Sequence, residues 1–238
     1  MKQINKVKQP EKYSNWRNQM ARQLNEDYRN MPSDIRGVVL NHLIKEQGFL
    51  CGYTMRRVDF SSSHIEHIKP ESICREDEKG SDLDIKNMIA CYPKKQKKNE
   101  NQYSYGAIFK NAWWINDGVE FISPTAHNCQ IHFDFNLKGE IISLNKNATT
   151  TIDVLKLDHK SLTNDRYVSI NEIINGKTGS NPITKGMAER LLKEILVCNN
   201  KGQFIEFCVA IKCALVKHIQ KLDKLAQKNK FILQRKKK

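Results

Sequence analysis

Apolar residues recur at three- and four-residue spacing through the first fifty positions. Tyr13, Trp16, Met20, Leu24 and Tyr28 trace one stripe of a helix. Met31-Pro32 stops that pattern, and Ser33 is placed to cap the next helix. Ile35, Val38, Val39, His42, Leu43 and Phe49 then form a second stripe, which Gly48 ends. Two helices joined by so short a link predict an antiparallel helical hairpin over 1–48.

The period changes over 49–145. Phe49–Phe60, Asn87–Tyr92 and Gly118–Ser123 read as short strands, with a turn at Ser61-Ser62-Ser63. Gln130–Phe135 and Glu140–Leu144 flank Lys138-Gly139 and predict a β-hairpin over 130–144. Helical spacing returns over 146–238. Asn164–Ile174 and Thr184–Cys198 are expected helices around a loop at Gly176–Pro182. Phe204, Phe207, Cys208, Ile211, Leu215, Ile219 and Leu222 predict a longer one over Gly202–Asp223, whose apolar face reads as core. The lysine-rich segment after it is expected to be disordered or to grip phosphate. The fold class is α+β, with a mixed centre between helical ends.

Composition narrows what such a fold does. The apolar fraction of 39% excludes wholesale disorder. No apolar run approaches the roughly 18 residues that span a bilayer, and the N-terminus has no apolar leader core. The expectation is a cytoplasmic protein without a membrane partner. Seven scattered cysteines, an odd number, read as free thiols rather than a disulfide framework.

Forty basic against 26 acidic residues give a net charge of +14, which points to a polyanionic partner. The charge is segregated. Residues 221–238 hold eight bases and one acid, whereas 71–86 hold six acids and three bases. Such segregation is what a phosphate-tracking surface requires.

Chemistry concentrates in Ser63-His64-Ile65-Glu66-His67-Ile68-Lys69-Pro70. In an extended chain, residues i and i+2 share a face, so His64 and Glu66 point together and His67 points away unless the chain turns there. Pro70 restricts the continuation and favours a turn. Two imidazoles and a carboxylate within four residues can combine a metal ligand with a general base. Phosphodiester hydrolysis needs both: a hard cation for the developing charge and a neutral imidazole for the proton of water. A helical zinc motif is excluded, because the two histidines are three residues apart, not four.

Downstream come Asn87, then a basic, Asn-rich stretch, then Tyr105-Gly106-Ala107 and Lys110. With Glu46-Gln47-Gly48-Phe49-Leu50-Cys51-Gly52-Tyr53, Ser123-Pro124, Cys129-Gln130, His132-Phe133 and Gly139-Glu140-Ile141, these strings in this order resemble the HNH endonucleases of Septu-type and retron-linked anti-phage systems (the PtuB kind). The resemblance covers about 1–200 and is centred on 46–141.

The resemblance implies a ββα-metal (HNH) finger embedded in 49–145 between the helical N- and C-terminal regions. It implies His67 as general base, Glu66 as the acidic metal ligand, and His64 as a second ligand or its support. Asn87 matches the middle Asn of the motif and would brace the loop and the His67 ring. The last ligand is open among Asn99, Asn101 and Ser104, with Asn99 taken as the working choice. The implied cofactor is a divalent cation, Mg²⁺ or Mn²⁺. The implied partners are nucleic acid (DNA, or an RNA such as a tRNA), an ABC/SMC-type ATPase of the PtuA kind, and a retron reverse transcriptase with its RNA–DNA hybrid. The implied products carry 3′-hydroxyl and 5′-phosphate ends.

The chain departs from many such relatives in one respect. Their structural zinc needs two CxxC pairs, but here Thr54 stands where the second thiolate of the Cys51 pair would be, and Cys91 has no such partner. Structural zinc is therefore not expected. Trp113-Trp114 reads as a half-buried pair, Cys198, Cys208 and Cys213 as core, His218 as a packing residue, and His127 and His132 as bystanders. The rival reading is a non-catalytic adaptor that recruits nucleic acid or an ATPase and retains the finger as a relic.

Overall fold

In a computed structural model, residues 1–22, 27–77, 80–94, 104–176 and 181–235 are described. The first stripe folds as α1 (Glu11–Arg22), which buries Tyr13 and Trp16. It does not continue to Tyr28, as the spacing predicts. That residue opens a separate 3-10 turn, Tyr28–Asn30, because the Asp27 carboxylate accepts from the Arg29 amide and caps it. Leu24 lies outside the described residues.

Helix α2 (Ser33–Glu46) packs on α1 and buries Ile35, Val39, Leu40, Leu43 and Ile44. Pro32 occupies its cap position and Ser33 is the first helical residue, so the expected serine cap is absent. Gly48 follows at φ +58°, where a Cβ would lie 2.3 Å from the Phe204 ring. Glycine answers both the backbone and the close approach there.

Phe49–Phe60 is not a strand. The chain folds back on itself, Cys51 N donating to Arg56 O and Met55 N to Cys51 O, and only one bridge, Leu50 to Arg57, remains. Strand β1 (His64–His67) pairs antiparallel with β2 (Met88–Cys91), His64 opposite Cys91 and His67 opposite Met88. Helix α3 (Glu71–Asp77) and two 3-10 turns, Ser81–Leu83 and Ile85–Asn87, connect them. All four β2 residues are buried, and the strand packs on α2. A four-residue helix, α4 (Ala107–Lys110), follows.

Gly118–Ser123 is also not a strand. Its apolar Phe121 and Ile122 are both buried in an irregular loop, and the Ile122 amide donates to Thr151 Oγ1 instead of to a neighbouring strand. The expected hairpin is present: β3 (Phe133–Phe135) pairs antiparallel with β4 (Ile141–Ser143) across a turn with Gly139 at φ +77°. A 3-10 turn, Cys129–His132, replaces the first part of the expected strand.

The C-terminal part holds α5 (Lys146–Leu155), α6 (Lys160–Asn175), α7 (Lys185–Glu194) and α8 (Cys208–Arg235). Asn145 caps α5 through the Ala148 amide, and α6 and α7 pack on α8. The predicted start of the last helix is six residues early. Phe204 and Phe207 belong to chain whose amides bond Gly48 O and Met55 O, outside the helix. The predicted end is also twelve residues early, since the described helix runs through the lysine-rich segment to Arg235, which corrects the disordered reading of that part. Cys198 is exposed, not core, because α7 ends before it.

Among the described residues, helices with two small antiparallel sheets make the fold α+β. One buried cluster draws on all three regions, including Leu43, Met88, Phe135, Leu155 and Leu215. No helix among the described residues is long and apolar enough to cross a membrane.

Candidate active site

His64, Glu66 and His67 all line one cleft of about 760 Å³. Its walls come from α2, the turn before β1, β1 itself and the start of α3.

The β1–β2 register brings the chain after Cys91 beside His64. The His64 Nδ1 lies 2.6 Å from the Pro93 carbonyl. A carbonyl only accepts, so Nδ1 carries the proton and donates. Nε2 then faces Glu66 Oε2 at 3.9 Å. The two side chains share a strand face, as i and i+2 residues must.

His67 is buried against the edge of the Tyr28 ring, with centroids 4.6 Å apart. Its Nε2 donates to the Asp82 backbone carbonyl at 2.8 Å. That bond assigns the proton to Nε2 and leaves Nδ1 with its lone pair. Burial pushes the His67 pKa below its ordinary value, against the upward pull of the Asp82 carbonyl and the carboxylates of Glu71, Glu66 and Asp82. The ring is held neutral.

Asn87 braces the chain just past His67. Its Oδ1 accepts from the Lys69 amide at 2.8 Å, and its Nδ2 donates to the Lys69 carbonyl at 2.9 Å. The amide therefore fixes the backbone at Lys69, while the tautomer of the His67 ring is set by Asp82.

Several participants have no signature in the motif. Lys110, at the end of α4, is buried with Nζ 3.2 Å from Glu66 Oε1 and 3.2 Å from the His67 carbonyl. Sequence order hinted at Lys110 but not at its partner. The Asp82 contact is made by backbone, which leaves no trace in side-chain identity. Of the candidate last ligands, Asn99 and Asn101 lie outside the described residues, and Ser104 is exposed.

A carboxylate oxygen and an imidazole nitrogen facing one another fit a hard divalent cation that retains several waters. Glu66 Oε2 and His64 Nε2 would hold it. Among the described residues, the one group of three acidic or imidazole ligand atoms within 4.8 Å of each other is instead Asp27, Glu71 and Asp82. Arginines already serve it: Arg29 pairs with Asp27, and Arg75 with Glu71.

At the position where many such relatives carry a zinc knuckle, Cys51 and Cys91 are buried free thiols and Thr54 is buried beside them. Burial alone pushes the Cys51 thiol up, but hydrogen bonds from Cys91, Thr54 and the Tyr92 amide outweigh it and bring it down to about 6. The Tyr92 amide lies 3.3 Å from its Sγ. His127 and His132 each bond a neighbouring asparagine, Asn128 and Asn145.

The chain matches no protein-family model and no curated protein.

Proposed function

We propose that this protein is a metal-dependent endonuclease that hydrolyses phosphodiester bonds of nucleic acid, with β1, β2 and α4 serving as a ββα-metal finger. The observation that carries this reading is the His67 ring. It is buried and neutral, its Nε2–H is held by a backbone carbonyl, and its Nδ1 is left as an acceptor in a cleft shared with Glu66 and His64.

A neutral imidazole of fixed tautomer is suited to take a proton from water at neutral pH. Glu66 and His64 would hold Mg²⁺ or Mn²⁺. Such a cation supplies charge neutralisation at the scissile phosphate and the departing oxygen. Asn87 keeps the strand end rigid through Lys69, so that the base does not drift from the reacting water. Lys110 holds one Glu66 oxygen and the His67 carbonyl, which orients both residues. The third ligand stays with Asn99, Asn101 or Ser104. The family resemblance supports an anti-phage role beside an ABC/SMC-type ATPase, and a retron reverse transcriptase with its RNA–DNA hybrid.

One observation favours a second reading, a non-catalytic adaptor. The Lys110 ammonium already neutralises Glu66, as it would in a finger that has given up its cation.

Incubation with plasmid DNA and with tRNA, in Mn²⁺ or Mg²⁺, tests the proposal. Cleavage by the parent is expected to fall about 10²- to 10⁴-fold in His67→Ala, the usual contribution of a general base. His67→Asn, which fills more of the buried site, controls for folding. Undiminished cleavage by both variants would remove His67 as the base. Metal-independent nucleic-acid binding without cleavage by the parent would favour the adaptor.

A further inference from the structure

Phe60 stands at the wall of the same cleft and is 50% exposed. Its exposure belongs to an ordered turn. The Asp59 carboxylate accepts from the Ser61 and Ser62 amides, both at 2.8 Å, and from both serine hydroxyls. The Ser63 hydroxyl closes the turn on the Asp59 carbonyl. The far edge of the ring leans on α2 at Gly37, where a Cβ would sit 3.6 Å from it. The turn also holds the chain that follows β2: Ser62 O accepts from the Lys94 amide at 2.7 Å, and Lys94 lines the cleft too.

An aromatic ring held out of the core in this way loses the burial that a phenylalanine ordinarily gains. What it offers instead is a rigid π-face at the mouth of a cleft that contains a basic side chain and the His67 base. We propose that the cleft takes nucleic acid as an unpaired strand, with one base stacked on Phe60 and the adjoining backbone beside Lys94.

Unpaired bases have free faces and stack on aromatic side chains with little regard to sequence. In a duplex those faces are already occupied by neighbouring pairs, and reaching Phe60 would require unstacking. A cleft of about 760 Å³ is of the size that encloses one small-molecule unit rather than a helix of paired strands. A purely electrostatic groove would need no aromatic at this position. The proposal rests on the reading of this cleft as the phosphodiesterase site, but its test separates the two.

Fluorescence anisotropy of the full chain in EDTA, with a labelled mixed-sequence oligonucleotide and with the same oligonucleotide annealed to its complement, reads binding without cleavage. Both RNA and DNA versions serve as probes. Phe60→Ala is expected to weaken single-strand binding by roughly 5- to 100-fold, the usual size of one stacking contact. Phe60→Trp is expected to preserve or tighten it, and duplex binding is expected to change little in either variant. Equal loss for both probes, no loss for either, or loss in Phe60→Trp as well would overturn the proposal. If single-strand binding depends on Phe60 but the parent cleaves nothing with Mn²⁺, the phosphodiesterase reading fails and the stacking site stands. If the parent cleaves duplex as readily as single strand and Phe60→Ala is indifferent, the stacking site fails and the phosphodiesterase stands.

Discussion

The Lys110 ammonium bridges Glu66 Oε1 and the backbone carbonyl of the next residue, His67, at 3.2 Å to each. Its side chain has no solvent exposure. A four-residue helix alone is too short to hold a position by its own hydrogen bonds. Lys110 ties that helix to the end of β1, and in return α4 supplies a fixed charge to the motif. One Glu66 oxygen is thereby committed, and the other is left facing His64 Nε2 at 3.9 Å.

Lys110→Met removes that charge and leaves the largely buried Glu66 facing no ammonium. Breaking one partner out of a buried pair costs about 3–5 kcal/mol, so a clear fall in Tm is expected. A divalent cation at Glu66 and His64 would replace the lost charge. Thermal melts with and without Mn²⁺ should therefore show a larger rise for Lys110→Met than for the parent. An equal rise in both proteins would show that Glu66 holds no cation.

Most of the helical frame was legible because its signal is periodic burial. The stripe Ile35, Val39, Leu43 gave α2, and Cys208, Ile211 and Leu215 gave the packed part of α8, where His218, read as a packing residue, is buried and bonded to Ile183 O. The false strands had the same origin. Phe121 and Ile122 are buried from an irregular loop, and burial without a partner strand looks like a strand in sequence. Helix α5 escaped notice because Asn147 and three successive threonines lower its helical propensity, while the Asn145 cap and the buried Thr151 sustain it. At the candidate site, side chains named by the motif could be found, but not the Asp82 carbonyl that sets the His67 tautomer. A backbone acceptor is common to every residue, so its placement is decided by the fold alone.

The His67 shift predicts a pH dependence. Burial disfavours the imidazolium, so the folded-state pKa lies below the ordinary 6.5. Between those two values the unfolded chain binds the proton and the folded protein does not. Stability is then fully present above about 6.5 and is lost as pH falls through that value toward the folded pKa, by at most about 1.4 kcal/mol per pH unit. Comparison of the parent with His67→Gln across about pH 5 to 7 isolates this group, since the half-buried His42, whose pKa burial also lowers, is common to both. The parent should lose stability faster on acidification. The acid limb of its cleavage rate should also fall below 6.5. An acid limb above that value would contradict a buried neutral base.

Chelation should stop cleavage without unfolding the chain. Cys51 already accepts the Tyr92 amide and bonds Cys91, and Thr54 replaces a thiolate, so the region is sustained by protein contacts. EDTA should leave the melting curve of protein purified without added metal unchanged, while activity returns with Mn²⁺ or Mg²⁺. A cooperative loss of structure on chelation would reveal a structural metal in this region.

The outer part of α8 offers the most direct test of where nucleic acid is gripped. Removing 224–238 deletes seven basic residues and no acid. Lys224–Arg235 is exposed, and the Lys185–Asp223 ion pair lies inside the new end, so the body should fold as before. Each phosphate contact contributes roughly 0.7–0.9 to the slope of log affinity against log salt through counterion release. If the helix tracks phosphate, truncation should weaken binding at low salt and flatten that slope by up to a few units. Cleavage at saturating substrate should change little, because none of the described residues removed, Lys224–Arg235, lines the cleft. The same helix also exposes Leu225, Phe231, Ile232 and Leu233, which phosphate does not require. Binding titrations of the full-length and truncated chains at several salt concentrations separate the two uses. An unchanged slope would remove the exposed end of α8 from nucleic-acid binding, because every phosphate contact it made would have contributed to that slope.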